Sequence, residues 1–408
     1  MVDTETTDLI EVVGDDFPAD PHRYYDHWRE RGPVLRVRLA NGMRVWVVTG
    51  YEEARAALAD PRLRKNVAGV SDALRRAGGK ALQSADLRAL AAHMLNSDPP
   101  DHTRLRKLVS KAFTSRRVAE SRTHIEEITA GLLDEMAGHD EVDLLQAFAN
   151  PLPVTVICGL LGVPFADRAA FQAWTKVLVG TSHDMTEADT ARREMGGYLQ
   201  ELMTEKRTRP GEDLLSGLMQ PGDDGDRLTE PELVSMAFLL LLAGHETTVN
   251  LIGNGTYALL RDTTQFQALR EDPTRIPAAV EELMRYDGPV GWATVRYTHE
   301  PVRIGQADIP AGELVHVALG AANRDPARYD RGDRLEVAAD AGGHLAFGHG
   351  VHFCVGAPLA RLEAQIAFSA LLHRFPKLEL ADQAFTPQWQ SSLLIHGLVE
   401  LPVRPHGS

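Results

Sequence analysis

The chain has 408 residues, 44% of them hydrophobic, and a net charge of −14 from 57 acidic and 43 basic side chains. That is enough apolar content for an extended core and enough length for two or three average domains or one large one, while the acidity argues against nucleic acid as a partner. Two cysteines outside any paired motif, Cys158 and Cys354, exclude a disulfide scaffold, and the acidic Met1-Val2-Asp3-Thr4-Glu5 start is no signal peptide. With no stretch read as long as a membrane span, the expectation is a cytoplasmic protein without an anchor.

Val34–Leu39 and Met43–Val48 are β-rich runs joined through Asn41-Gly42, a hairpin signal. From Tyr51 onward the periodicity predicts helices over Glu52–Leu58, Thr103–Phe113, Ser121–Met136, Pro153–Leu161, Arg168–Val179, Thr190–Arg207, Glu230–Leu260 and Ala278–Arg285. Short β-like runs return at Val302–Ile304, at Leu314–Leu319 and around Leu393–Leu401. A mainly helical protein with small peripheral sheets follows, without repeats or a dividing linker. Arg64 to Ser97 and parts of Gly180–Glu187 are weakly patterned, and such irregular segments often cover or line a site.

Met236 to Ala243 is apolar on every face, so that part of its helix is predicted to be buried all round. Gly244-His245-Glu246-Thr247-Thr248 then interrupts the apolar pattern. A buried, unpaired Glu246 costs several kcal/mol unless it finds partners or its pKa rises. Ala243-Gly244, one turn earlier, would let a ligand approach the backbone closely. Two readings stand: a kinked helix whose polar groups bond internally, or an acid–alcohol pair managing protons in an apolar cavity.

Phe347-Gly348-His349-Gly350-Val351-His352-Phe353-Cys354-Val355-Gly356-Ala357-Pro358 carries three glycines around one cysteine, with helical periodicity from about Pro358 to Leu372. Glycines permit backbone conformations and close approaches that a side chain forbids. Cys354 thus precedes a helix N-terminus, where N–H groups and the helix dipole favour a thiolate. Three readings remain: a buried small hydrophobe, a zinc site with His344, His349 and His352, or a thiolate ligand to haem iron, the glycines letting the backbone lie against the macrocycle.

Asp98-Pro99-Pro100-Asp101 is a helix-start signal, and His102 and Arg106 follow four apart on one face. With Arg296 and His352 they can hold the two carboxylates of a haem, although each alone reads as an ordinary surface or core residue. Glu282 and Arg285, three apart, read locally as an ordinary helical ion pair.

Taken in order, His102-x-x-x-Arg106, Ala243-Gly244-His245-Glu246-Thr247-Thr248, Glu282-x-x-Arg285 and the Cys354 loop resemble the cytochromes P450, the haem-thiolate monooxygenases. The resemblance spans essentially the whole chain and is greatest to soluble actinobacterial members that tailor polyketide macrolides and other secondary metabolites, some of which accept steroids. It implies one domain over residues 1–408, mainly α with small β-sheets, and haem b as cofactor. Cys354 is then the iron ligand, Phe347 packs on the sulfur side of the ring, Gly356 belongs to the same loop, and His102, Arg106, Arg296 and His352 hold the propionates. Thr247 hydrogen-bonds bound dioxygen, Glu246 helps deliver protons, and Glu282 and Arg285 form a buried triad with Arg334, in a segment (Asp333-Arg334-Leu335) that departs from the family's frequent Phe after Arg.

Position relative to these motifs nominates Met94, Leu95, Val177, Leu178, Leu242, Ala243, Thr247, Val290, Trp292, Ala293, Thr294, Leu393 and Leu394 as substrate contacts, with Trp292 favoured as a pocket wall over core filler. Mostly apolar, they imply a hydrophobic ligand bound by shape. The resemblance implies a monomer that takes electrons from a ferredoxin and its reductase, docked against a basic cluster of Arg104, Arg106, Lys107, Lys111, Arg116 and Arg117. A non-oxygenating haem-binding or sensor protein, or a steroid or terpenoid hydroxylase, is the alternative.

Overall fold

The computed structural model describes residues 11–79, 85–179, 185–222 and 225–407, so the acidic first five residues and part of the Gly180–Glu187 segment lie outside the described residues. The longer helices are α1 (Pro21–Arg31), α2 (Tyr51–Ala59), α3 (Val67–Arg76), α4 (Asp101–Ala112), α5 (Arg122–Met136), α6 (Pro151–Leu161), α7 (Arg168–Val179), α8 (Met185–Thr208), α9 (Glu230–Arg261), α10 (Thr263–Glu271), α11 (Ile276–Asp287) and α12 (Ala357–Arg374).

The strands are β1 (Glu11–Val12), β2 (Val34–Arg38), β3 (Arg44–Val48), β4 (Leu63–Arg64), β5 (Val142–Asp143), β6 (Arg296–Thr298), β7 (Val302–Ile304), β8 (Ala307–Ile309), β9 (Leu314–Val317), β10 (Glu379–Leu380) and β11 (Pro402–Arg404). They form one larger sheet in the order β1-β2-β3-β9-β6-β4, a three-stranded sheet β10-β11-β5 and the hairpin β7-β8.

The expected hairpin is present: β2 and β3 pair antiparallel in register Val34↔Val48 to Arg38↔Arg44, and Gly42 turns the chain at φ +86°. The run Leu393–Leu401 forms no strand of its own. Ile395 and Leu398 make isolated bridges to Val290 and Trp389, and the last strand is β11, just beyond. The weakly patterned segment after Arg64 contains α3, capped by Asn66, whose side chain accepts from the Gly69 N–H at 2.9 Å. Gly69 has no room for a side chain, since a Cβ there would lie 2.0 Å from the Tyr297 ring.

Helix α9 organises the core. Pro231 sits in its first turn, and Glu232 Oε2 accepts from the Thr229 N–H at 2.8 Å, closing the start of the helix. It packs against α6, α8, α11 and α12. By length and composition it is apolar enough to cross a bilayer, contrary to the expectation that no stretch was. Yet 72% of its most apolar window is buried inside the protein. The all-round burial predicted for Met236 to Ala243 holds from Met236 to Leu241 as core packing, whereas Leu242 is half-buried and Ala243 exposed.

Candidate active site

The Cys354 loop folds as a tight turn ahead of α12. Gly348 and Gly350 take φ +72° and +73°, in the left-handed region that favours glycine. A Cβ on Gly350 would also lie 3.0 Å from Ala59 Cα and from Leu58 O, so α2 fixes that glycine from outside. Gly356 is different: its backbone is ordinary right-handed helical, and its N–H faces the sulfur. The Cys354 N–H donates to Phe347 O at 2.9 Å, closing the loop.

The Cys354 side chain is exposed, yet protein surrounds it almost as densely as a core atom, so it opens onto an interior space. Burial raises its thiol above the usual range. The N–H groups of Gly356 and Ala357, and the charges of Arg106 and Arg361, pull the other way. Burial thus works against the thiolate that the helix start favours, and a cation at the sulfur would add to the favourable side. Among the described residues no three His, Cys, Asp or Glu side chains converge to hold a metal ion, so the zinc reading falls.

Basic groups from four parts of the chain gather nearby. His102 is 3% exposed with Nδ1 unpartnered, and its ring centroid lies 4.2 Å from that of His352. Arg296, on β6, is 3% exposed, and its guanidinium donates to Thr294 O at 3.3 Å. Burial lowers Arg296 to about 10, against the pull of Asp98. Burial, Lys65, His102, Arg296 and Arg106 together hold His352 down at about 2, so it is neutral here. The four residues expected to share a dicarboxylate are thus close in space, with a surplus of positive charge.

In the middle of α9, the Thr247 hydroxyl donates to Ala243 O at 3.0 Å and the His245 ring nitrogen Nδ1 lies 2.7 Å from Leu241 O. Glu246, its side chain 14% exposed, has found a partner: Asn250 Nδ2 donates to Oε1 at 3.2 Å. Ala243 is exposed although Leu241 and His245 around it are buried, so the helix is open to a ligand at this turn. Gly244 does not serve a ligand. A Cβ there would lie 2.9 Å from Ile157 Cδ1, so its smallness lets α6 approach α9.

Arg285 holds Glu282 through two hydrogen bonds of 2.7 and 2.8 Å, both residues nearly fully buried. Arg334 enters differently from expectation. Its side chain is exposed and its backbone carbonyl accepts from Arg285 at 2.8 Å, alongside those of Asn323 and Gly332, while Glu282 Oε1 accepts from the Glu336 N–H. The guanidinium is replaced by main-chain groups.

A second network was invisible in the sequence. Glu281 accepts from Arg361 at 2.7 and 2.8 Å and lies 3.0 Å from His344 Nε2. His344 Nδ1 accepts from the Ala346 N–H at 3.2 Å, which makes Nε2 the donor to Glu281. Burial raises Glu281, but Arg361 and His344 outweigh it and bring it to about 2. His344 thus has a task; His349 has no side-chain partner among the described residues. The basic face on α4 is more compensated than expected, since Arg104 pairs with Glu232 and Asp226, and Arg116 with Glu120.

Of the nominated substrate contacts, Trp292, Ala293, Thr294, Leu393 and Leu394 border one cavity of about 340 Å³, joined by residues of α3. Trp292 lines this cavity, as expected, and is at the same time packed as a core residue. It is 1% exposed, its indole N–H donates to Tyr25 Oη at 2.8 Å, and Phe17 and Trp28 meet it edge-on. Met94 is buried in the core beside α4, with Leu95, Leu178 and Leu242 packed against that core, and Val290 packs near α2; Val177 is half-buried on α7. None of these, nor Ala243 or Thr247, borders this cavity. The additional wall, Val67, Val70, Ser71 and Leu74, comes from the segment flagged as weakly patterned.

A cysteine in a tight turn ahead of α12, a surplus of cations beside it and an acid–alcohol turn on α9 make up the residue set of a haem-thiolate centre. The family model for cytochrome P450 matches residues 164–397. The chain is 51% identical over 410 residues to cytochrome P450 107B1 of Saccharopolyspora erythraea, covering 99% of this chain and 100% of the relative. It is 50% identical over 396 residues to the cytochrome P450 monooxygenase PikC of Streptomyces venezuelae, covering 96% and 93%. The tirandamycin C-bound structure of the P450 monooxygenase TamI superposes with a TM-score of 0.89 at 47% identity, over 97% of this chain and 99% of that one. The chain belongs to the cytochrome P450 family, and it is a monooxygenase that binds haem.

The donor set fits that cofactor. The unpartnered His102 Nδ1 and the under-compensated Arg106 and Arg296 are suited to its two carboxylates, and Cys354 to its iron. When bound, haem supplies the activation of dioxygen. Phe347, 8% exposed, lies under the Arg361 guanidinium, and on α9 the Thr247 hydroxyl carries a proton while Glu246 accepts from Asn250.

Proposed function

We propose that this chain, acting as one domain over residues 1–408, hydroxylates or epoxidises a hydrophobic secondary metabolite, with a polyketide macrolide as the leading substrate class. The observation that carries this reading is the cavity beside α3, lined mainly by aliphatic side chains and floored by Trp292. Such a wall selects ligands by shape and gives them few polar anchors. Support comes from a further relative, the polyketide biosynthesis cytochrome P450 PksS of Bacillus subtilis, 40% identical over 395 residues. A steroid-like substrate is the second reading, favoured by similarity to the vitamin D(3) 25-hydroxylase of Pseudonocardia autotrophica, 45% identical over 405 residues.

In this proposal Cys354 ligates the iron, His102, Arg106, Arg296 and His352 hold the propionates, and Glu246 and Thr247 relay protons. The enzyme works in the cytoplasm as a monomer. Electrons arrive from an acidic ferredoxin served by its reductase; the ferredoxin docks where Val351 and Phe353 are exposed on the Cys354 loop, with the basic cluster on and just after α4 as its complementary charge.

The test is a screen of hydrophobic ligands for a shift of the haem spectrum, followed by turnover of the binders with a surrogate ferredoxin and reductase. A product carrying one added oxygen is expected from at least one macrolide or its aglycone. Binding without oxygenation across all binders would refute the proposal; turnover confined to steroids would select the second reading.

A further inference from the structure

Lys65 follows β4 and is 3% exposed, a rare condition for lysine unless its charge is paired. The nearest carboxylate is already engaged with other donors. Asp98 Oδ1 accepts from the Lys65 backbone N–H at 2.9 Å, and Oδ2 accepts from the Asn66 N–H at 3.1 Å and from Asn66 Nδ2 at 2.8 Å. Asp98 thus pins the chain at Lys65 without hydrogen-bonding the ammonium, which has no hydrogen bond or ion pair among the described residues.

The surroundings of that ammonium identify its partner. β4 pairs with β6 in register Arg64↔Tyr297, which brings Lys65 up beside Arg296. Its charge bears on Arg296, His102 and His352, three of the four residues assigned to the haem carboxylates. A lysine placed among other cations keeps its charge only when anions join them, and otherwise gives up its proton. The cluster sets Lys65, Arg106 and Arg296 against the one carboxylate of Asp98, and burial beside Arg296 pulls the Lys65 ammonium well below its ordinary range, a cost that two further carboxylates would offset.

We propose that Lys65 donates to a propionate of the bound haem, as a fifth basic partner beside His102, Arg106, Arg296 and His352. This rests on the assignment of those four to the propionates. It makes the segment after β4 part of the cofactor cradle, and the same side chain forms the polar corner of the apolar cavity.

The experiment loads the full chain with haem and follows haem transfer to excess apomyoglobin for wild type, Lys65→Met, Lys65→Gln and Lys65→Arg. Arg106→Leu serves as a control for the propionate assignment. The thiolate-type spectrum of the reduced, CO-bound protein reports that each variant is folded. Losing a charge-assisted hydrogen bond should speed haem loss about tenfold in Lys65→Met and Lys65→Gln, with Lys65→Arg near wild type. If Arg106→Leu accelerates haem loss and neither neutral Lys65 variant does, the Lys65 proposal is overturned alone. If Arg106→Leu also has no effect, the propionate assignment itself fails and the proposal falls with it.

A second arm compares spectral binding of dodecanoic acid and dodecanamide. An unchanged acid-to-amide preference in the variants is expected. Selective loss of acid binding with haem retention intact would place the lysine in the ligand site and overturn the proposal.

Discussion

The Arg361 guanidinium lies 4.5 Å over the Phe347 ring while its two edge nitrogens hold Glu281. One side chain of α12 thereby ties the Cys354 loop to α11, with His344 closing the network from the loop side. Glu281→Ala removes the anchor and leaves Arg361 unsatisfied. The expected loss is about 2 kcal/mol in urea denaturation of the holoprotein, and an unchanged midpoint would count against the tie.

The same carboxylate sets a pH dependence. Its folded pKa is about 2 against an ordinary 4.5, so it binds protons more readily when unfolded. The stability it contributes is present above pH 4.5 and is lost as pH falls toward 2. The difference amounts to about 3 kcal/mol at most, less where solvent screens the pair. In acid titrations Glu281→Gln should flatten the stability curve within that window and leave it unchanged near neutrality in slope.

Glu282 and Arg285 are buried as a pair, each satisfied by the main chain around residues 323–336. Removing one partner strands the other in a low-dielectric site. Glu282→Ala is expected to destabilise by about 3–5 kcal/mol. Thermal unfolding should show it, together with poor haem incorporation, whereas Arg334→Ala should be nearly silent because only its carbonyl takes part.

Gly244 gives a cleaner distinction between packing and ligand access. Gly244→Ala presses a methyl group against Ile157 and should cost about 1–3 kcal/mol. Gly244→Ala combined with Ile157→Val should recover most of it. Recovery of stability without a change in ligand affinity is the signature of a helix contact; a lasting affinity defect in the double variant would return Gly244 to the ligand site.

Thr247→Ala removes the hydroxyl that donates to Ala243 O. Haem binding should persist while product formation falls about tenfold or more relative to electrons consumed, the difference appearing as hydrogen peroxide. Measurement of product against reduced nicotinamide oxidised reads this directly; intact coupling would sink the proton-relay role. Cys354→Ala should abolish the thiolate-type spectrum, and a histidine-type spectrum in the wild type would refute the ligand.

The parts of the site readable from sequence were those whose members lie within a few residues of each other. The Cys354 loop, His102 with Arg106, Glu246 with Thr247, and Glu282 with Arg285 each carry a local spacing that fixes geometry on one turn or helix face. What stayed hidden depends on distant partners. His344 meets Glu281 across 63 residues, Trp292 meets Tyr25 across 267, and Asp98 pins Lys65 across 33. Gly244 misled for a related reason, since a small residue marks close approach without naming what approaches. Gly356 departed from the role expected of it, since its backbone is ordinary right-handed helical and its part is the N–H that faces the sulfur.

The cavity is built asymmetrically. Its floor, Trp292, is locked into the packing of Tyr25, Phe17 and Trp28, whereas another part of its wall is α3, through the half-buried Val67, Val70 and Leu74. Val70 and Leu74 still pack against the core that holds Trp292 and Val67 does not, so changes of ligand preference cost the fold least at Val67. The same change attempted at the tryptophan would loosen the N-terminal helix from the rest of the molecule, so specificity and stability are separable on one side of the pocket and fused on the other.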